Sequence, residues 1–122
     1  MAMHELSIAQ SIFEIIGDTI PADQATDVRS IRVRVGRLSG VVADSLQFCF
    51  SIIAADTPLR HAGLQIENVP AVSECRDCLN RFTVEDLAFL CPSCSSTNTS
   101  LVSGTELEVS EIELLDRPAE VT

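Results

Sequence analysis

The sequence predicts an α+β fold in which two helices lie on a small antiparallel sheet and a four-cysteine segment is inserted before the final strand. Three observations point there. Apolar residues recur at helical spacing in residues 6–20 and 46–53, they alternate with period two in residues 30–35 and 107–109, and two matched CxxC pairs stand between the halves. At 122 residues the chain is short enough for one compact unit with at most a small appendage. Its core has to be mostly aliphatic, because there is no Trp or Tyr and only five Phe.

The first helix rests on Leu6, Ala9, Ile12, Phe13, Ile16 and Ile20, which share one face, with Gly17 and Pro21 as its stop signals. Ile31, Val33 and Val35 then alternate with Ser30, Arg32 and Arg34 as a half-buried strand that Gly36 and Gly40 end. Asp44 is positioned to cap a second helix that places Leu46, Cys49, Phe50 and Ile53 on one side and closes at Thr57-Pro58. Cys49 reads as a core residue. Leu64 and Ile66 begin another alternating stretch, interrupted by Pro70. The polar run from Ser95 to Ser103 reads as turn-forming chain that returns to the body. In the last strand, Leu107 and Val109 give way to Ile112 and Leu114, and this change of parity at Ser110-Glu111 predicts a bulge. Arg32 and Arg34 on the early strand and Glu106 and Glu108 on the last would face each other if the two strands were antiparallel neighbours.

Eighteen acidic residues against eight arginines and no lysine give a net charge of −10, which repels a phosphate backbone and argues against nucleic-acid binding. The longest apolar run, Phe48 to Ala55, is far below the ~20 residues that span a bilayer, and no signal-peptide pattern opens the chain. A cytoplasmic protein with no membrane association is expected. In that reducing compartment disulfides are rare, so the cysteines point to metal.

Cys75-Arg76-Asp77-Cys78 and Cys91-Pro92-Ser93-Cys94 are separated by the twelve residues Leu79 to Leu90. Each short turn lets two thiolates reach one ion, and two turns supply the four sulfur ligands of tetrahedral zinc. Four thiolates leave no open position for water, so the zinc is expected to be structural and the segment to be a four-cysteine zinc ribbon. A dithiol oxidoreductase would need only one pair, at a helix N-terminus after a strand, and no βαβ pattern adjoins either pair. A nucleic-acid-binding ribbon should be basic, yet this one carries Glu74, Asp77, Glu85 and Asp86 against Arg76 and Arg81.

Met3-His4-Glu5-Leu6-Ser7 places an imidazole and a carboxylate near the chain's amine, just before the first helix. Taken with Ile8-Ala9, the Val33-Arg34-Val35-Gly36-Arg37-Leu38-Ser39 strand and the two CxxC pairs in this order, it closely resembles the HypA/HybF family of hydrogenase-maturation nickel metallochaperones. The resemblance covers nearly the whole chain. It implies a nickel-binding α/β domain over residues 1–72, a zinc-binding domain over residues 73–103 held by Cys75, Cys78, Cys91 and Cys94, and a final strand in residues 104–122 that returns to the first domain. It implies nickel held by His4, Glu5 and Met3 and delivered to the large subunit of a [NiFe] hydrogenase with a HypB-type GTPase; some relatives also serve urease.

The donor chemistry agrees. Ni(II) favours square-planar nitrogen and oxygen donors, which an amine, deprotonated backbone amides and a neutral imidazole provide. Below the ordinary imidazole pKa of about 6.5 a proton competes for His4. The chain departs from the family pattern in that Met1-Ala2 precede Met-His-Glu. Either Met3 is the natural start, or removal of Met1 leaves Ala2-Met3-His4, a free amine and two amides ahead of a third-position His. Asp44, whose stretch resembles the family's second-helix start, is a further nickel-proximal candidate beside its capping role. His61 reads as a polar surface residue in a turn. No nucleophile and base, phosphate loop or pair of catalytic carboxylates is apparent, so no enzymatic activity is expected. The alternative function is a zinc-ribbon adaptor for protein interactions without nickel delivery, and the chain is expected to be a monomer or homodimer.

Overall fold

The computed structural model describes residues 2–85 and 88–115, with side chains from Glu5 onward. The order of elements is α1 (Ala2–Thr19), a 3-10 turn (Ala22–Asp27), β1 (Val28–Gly36), α2 (Ala43–Ala54), β2 (Gly63–Val69), β3 (Val72–Cys75), β4 (Arg81–Thr83), β5 (Thr99–Ser103) and β6 (Leu107–Leu114). The strands form two three-stranded sheets, ordered β2-β1-β6 and β4-β3-β5.

The described chain divides into two compact units: residues 2–33, 42–66 and 109–115 form one, and residues 34–41 and 67–108 the other. In the first unit, α1 and α2 pack on each other. Ala9, Ile12 and Ile16 of α1 and Leu46, Phe50 and Ala54 of α2 are buried, as are Val28, Ile31 and Val33 of β1. Full burial of a side chain such as Ile16, Ile31 or Leu46 contributes about 1.5–3 kcal/mol, so these aliphatic groups carry the unit. Helix α1 starts earlier than its apolar stripe requires, because Ala2, Met3, Glu5 and Leu6 are good helix formers and Glu5 suits the positive end of the helix dipole. The Met3-His4-Glu5 motif therefore lies in the first turn of α1 and not before it.

Helix α2 differs from expectation at its start. Its N-cap is Val42 and Asp44 sits inside the first turn, exposed and making no cap hydrogen bond. The carboxylate that takes the Val42 N–H is that of Glu5 on α1, with Oε2 at 3.2 Å. A long-range contact has replaced the local cap, and Asp44 keeps only the favourable position at the dipole's positive end.

The first sheet is mixed. Gly36 N donates to Glu106 O at 2.7 Å and Leu115 N to Asp27 O at 2.7 Å, so β6 runs antiparallel to β1. The two contacts are nine residues apart on both strands, so no residue is inserted, and the expected bulge at Ser110-Glu111 is absent. The change of parity arises because β6 is an edge strand whose side chains are mostly exposed, so no buried face enforces alternation. By contrast, Gly63 lies against Arg29 O, while Arg37 N donates to Val69 O at 2.9 Å, so β2 runs parallel to β1 and α2 is the crossover that parallel pairing requires. The expected cross-strand charge pairing forms at Arg34, whose Nη1 donates to Glu108 at 2.9 Å and whose Nε stands 3.5 Å from Glu67. Arg32 lies instead opposite Ser110, whose hydroxyl donates to the Arg32 carbonyl at 3.4 Å.

The second unit carries the antiparallel ribbon sheet, with Glu74 opposite Arg81 on β4 and Cys75 opposite Thr99 on β5. Strand β5 is the element least expected, since its Thr and Ser content reads as turn. Its residues complete the edge of β3, and β-branched Thr99 and Val102 suit a strand once a partner is present. This unit is broader than residues 73–103, because flanking backbone is tied into it. Val84 N donates to Ala71 O at 2.7 Å, Ser103 Oγ to Pro70 O at 2.8 Å and Leu38 N to Gly104 O at 2.7 Å.

Candidate metal centres

The two CxxC turns are wired alike. In the first, Leu79 N donates to Cys75 O at 2.8 Å and Cys75 N to Asn80 O at 2.9 Å; in the second, Ser95 N donates to Cys91 O at 2.8 Å and Cys91 N to Ser96 O at 3.1 Å. Closing each turn puts the residue after the second cysteine in the left-handed region, Leu79 at φ 64° and Ser95 at φ 60°. The turns are also tied to one another. Asp77 accepts hydrogen bonds from the Ser96 hydroxyl and from Asn98 Nδ2, the latter at 3.2 Å, and Arg76 N donates to Asn98 O at 2.9 Å. Asn80 Nδ2 donates to Ser93 Oγ at 3.2 Å.

This wiring brings together all four cysteines picked out from spacing. Their Sγ atoms lie within 4.8 Å of one another, with Cys75 and Cys94 3.5 Å apart and Cys78 and Cys91 3.6 Å apart. A tetrahedron of Zn–S bonds at about 2.3 Å has S···S edges of about 3.8 Å, so the cage has the size of a tetrahedral tetrathiolate site. Cys75 and Cys91 are buried and Cys78 and Cys94 exposed, and none of the four is in a disulfide.

The thiols are split in acidity. Burial opposes ionisation of Cys91, but the backbone N–H groups of Cys94 and Ser93 point at its sulfur and bring it down to about 6. The Ser96 N–H favours the Cys94 thiolate, yet the neighbouring Cys75, Cys78 and Cys91 sulfurs and burial together outweigh it and Cys94 is pushed up to about 12. Cys75 is lowered, first by the Cys78 N–H. The Asn80 N–H lowers Cys78, but the Cys91 sulfur, burial and the Cys75 sulfur together raise it. Each close sulfur pair thus sets a thiol of lowered pKa beside one of raised pKa. A divalent cation bound among the four favours the thiolate form of all of them, and its binding releases the protons they still hold.

The N-terminal candidates are placed as follows. Glu5 is 1% exposed and its carboxylate is held at the start of α2 by Val42 N. Asp44 lies two residues further on, in the first turn of α2. The backbones of Ala2, Met3 and His4 belong to α1, and their side chains lie outside the described residues. The Glu5–Val42 link had no signal in the sequence, because a buried carboxylate facing a helix start 37 residues away leaves no local pattern. Cys49 is a core residue and His61 an exposed turn residue, as their settings in the sequence suggested. Among the described residues, the four cysteines are the one group of His, Cys, Asp and Glu side chains arranged to hold a metal. No helix among them is long and apolar enough to cross a membrane.

Two small sheets, a pair of packed helices and a tetrathiol cage define a two-unit α+β protein that binds metal. Residues 3–114 match the family model described as hydrogenase/urease nickel incorporation, metallochaperone, HypA. The hydrogenase maturation factor HypA of Desulfatibacillum aliphaticivorans is 44% identical over 115 residues, covering 93% of this chain and 88% of that protein. The protein of the same name from Desulfosudis oleivorans is 42% identical over 113 residues, covering 92% and 98%. The chain belongs to the HypA family. Its fold is also that of solved relatives: the solution structure of the Ni metallochaperone HypA from Helicobacter pylori matches with a TM-score of 0.62 at 23% identity, over 93% of this chain and 98% of that one. A second solution structure of a HypA protein matches with a TM-score of 0.68 at 24% identity, over 93% and 97%.

Proposed function

We propose that this protein is a nickel metallochaperone that binds Ni(II) at its N-terminus and delivers it during maturation of a [NiFe] hydrogenase. The observation that carries the reading is the Met3-His4-Glu5 motif in the first turn of α1, in a chain matching the nickel-incorporation family from residue 3 to residue 114. The first four N–H groups of a helix have no intrahelical acceptor. Because α1 starts at Ala2, the amides of Met3 and His4 fall in that group and are open to replacement of their protons by metal. With the His4 imidazole and the chain's amine they form a square-planar donor set suited to Ni(II). Met3, His4 and Glu5 are the proposed nickel residues, with Ala2 and Asp44 nearby. The Glu5 carboxylate accepts the Val42 N–H and so ties the motif to the start of α2.

Cys75, Cys78, Cys91 and Cys94 are the proposed ligands of a structural zinc, whose closed shell supplies folding free energy and no reactive water. Residues 73–103 are the proposed zinc domain, and residues 1–72 with 104–122 the nickel domain. The proposed partners are a HypB-type GTPase and the hydrogenase large subunit, met in the cytoplasm, and the protein performs no catalysis of its own. The test is a nickel titration followed in the visible spectrum, on the parent, on His4→Ala and on a version starting at Met3. A square-planar nickel band that His4→Ala removes, with zinc retained in all forms, is the expected result. Equal nickel binding by the parent and His4→Ala would overturn the N-terminal assignment. Zinc without nickel in every form would favour the adaptor reading.

A further inference from the structure

Helix α2 lacks the polar outer face that a surface helix normally carries. From Ser45 to Ala55 it has no charged residue at all, and Phe48 and Ile52 on its outer side are 66% and 57% exposed. Its inner side is already used, since Leu46, Cys49, Phe50 and Ala54 are buried. The outer residues of the helix fall in one row at i, i+4 spacing, Asp44, Phe48 and Ile52, and Asp56 follows in the turn just beyond the helix end; all four are exposed. Small residues, Ser51 and Ala55, flank the two large ones and leave room beside them. The helical row from Asp44 to Ile52 spans about 12 Å, with the Asp44 carboxylate before the hydrocarbon and the Asp56 carboxylate in the turn after it.

Charge selects the occupant. A second copy of α2 laid along the row would set Asp against Asp whether the helices ran parallel or antiparallel, and such like-charge contacts disfavour self-pairing. A helix with two apolar residues at i, i+4 and a basic residue about a turn beyond each would meet hydrocarbon with hydrocarbon and both carboxylates with cations. We propose that the Asp44-Phe48-Ile52-Asp56 row is the docking ridge for an amphipathic, basic-ended helix of a partner protein. The ridge begins beside the N-cap Val42, whose N–H donates to Glu5 of the proposed nickel motif, so a docked partner lies close to Glu5 in the first turn of α1. This placement adds a partner surface to the delivery role proposed above, while the ridge itself rests on α2 and the turn that follows it.

The probe is a labelled synthetic helical peptide with Leu at i, i+4 and Arg three turns apart, titrated with the full chain and followed by fluorescence anisotropy at low and high salt. The parent is expected to bind it, and Phe48→Ser with Ile52→Ser to weaken binding by about tenfold or more, as truncation of central apolar anchors does. Asp56→Arg should weaken binding to this peptide and restore it for a peptide carrying Glu at the matching end. Circular dichroism of the variants should match the parent, since the substituted side chains are exposed. Absence of binding by the parent overturns the proposal, as does equal binding by the serine variant or indifference to the charge swap. Sedimentation showing a dimer that the serine variant abolishes would make the ridge a self-interface and also overturn it. Nickel titration of the same proteins separates the two readings: loss of peptide binding with unchanged nickel binding concerns the ridge alone.

Discussion

Removing the metal from Cys75, Cys78, Cys91 and Cys94 is expected to unfold the ribbon sheet while the helical unit stays folded. Among the described residues from 72 to 103 the buried side chains are Ser73, Cys75, Val84 and Cys91, so Val84 is the one buried hydrocarbon group there. Leu79, Phe89, Leu90, Leu101 and Val102 are all exposed. Burying a valine contributes about 2 kcal/mol, whereas a structural zinc bound by a small domain contributes about 10–16 kcal/mol at neutral pH. The metal term is larger by about five- to eightfold, and one valine does not offset the entropy of ordering the strands. The helical unit has its own core in Ile12, Ile16, Ile31, Val33 and Leu46 and should not follow. The assay is amide hydrogen exchange before and after chelation, and on Cys91→Ser. The Cys75, Val84 and Cys91 amides, which donate to Asn80, Ala71 and Ser96, should lose protection while those of α1 and α2 keep theirs. Retained protection at Cys75 and Val84 in metal-free protein would refute the reasoning.

Other outcomes follow from single sites. Gly36→Ala would place a Cβ 2.2 Å from the carbonyl of Gly104 and 2.6 Å from Glu106 N, all rigid backbone, and should cost about 3 kcal/mol or more in urea unfolding. Leu79→Gly relieves a left-handed backbone worth about 1–2 kcal/mol, against about 0.5–1 kcal/mol of added chain entropy. Since Leu79 is 73% exposed, the net is a gain of roughly 0.5–1 kcal/mol, seen as slower metal loss to a chelator. The Glu106 carboxyl is held below its ordinary value of 4.5 by its own N–H and that of Gly104, and less strongly by Arg34. A depressed folded pKa stabilises above the ordinary value and is lost as pH falls through the depressed one, so Glu106→Gln should melt below the parent at pH 7 and converge with it in acid.

Where burial imposed a period, the sequence was legible: α1, α2 and β1 follow the stripes of Ile12-Ile16, Leu46-Phe50 and Ile31-Val33-Val35. The tetrathiol cage was legible because CxxC spacing constrains geometry within four residues. What escaped depends on partners distant in the chain. Strand β5 exists because β3 offers it an edge, and its own Thr99 and Ser100 looked like turn. The cap of α2 comes from Glu5, so the nearby Asp44 drew attention instead. The direction of β2 is set by the α2 crossover, which no local pattern reveals. On β6 the lack of a buried face left its alternation ambiguous, and a regular strand looked bulged.

Delivery is tested most directly by following labelled nickel into the hydrogenase large subunit, in cells lacking their own family member and supplied with this protein or with His4→Ala at matched abundance and zinc content. The account predicts nickel in the large subunit with the parent and little or none with His4→Ala. Equal incorporation with both would contradict it.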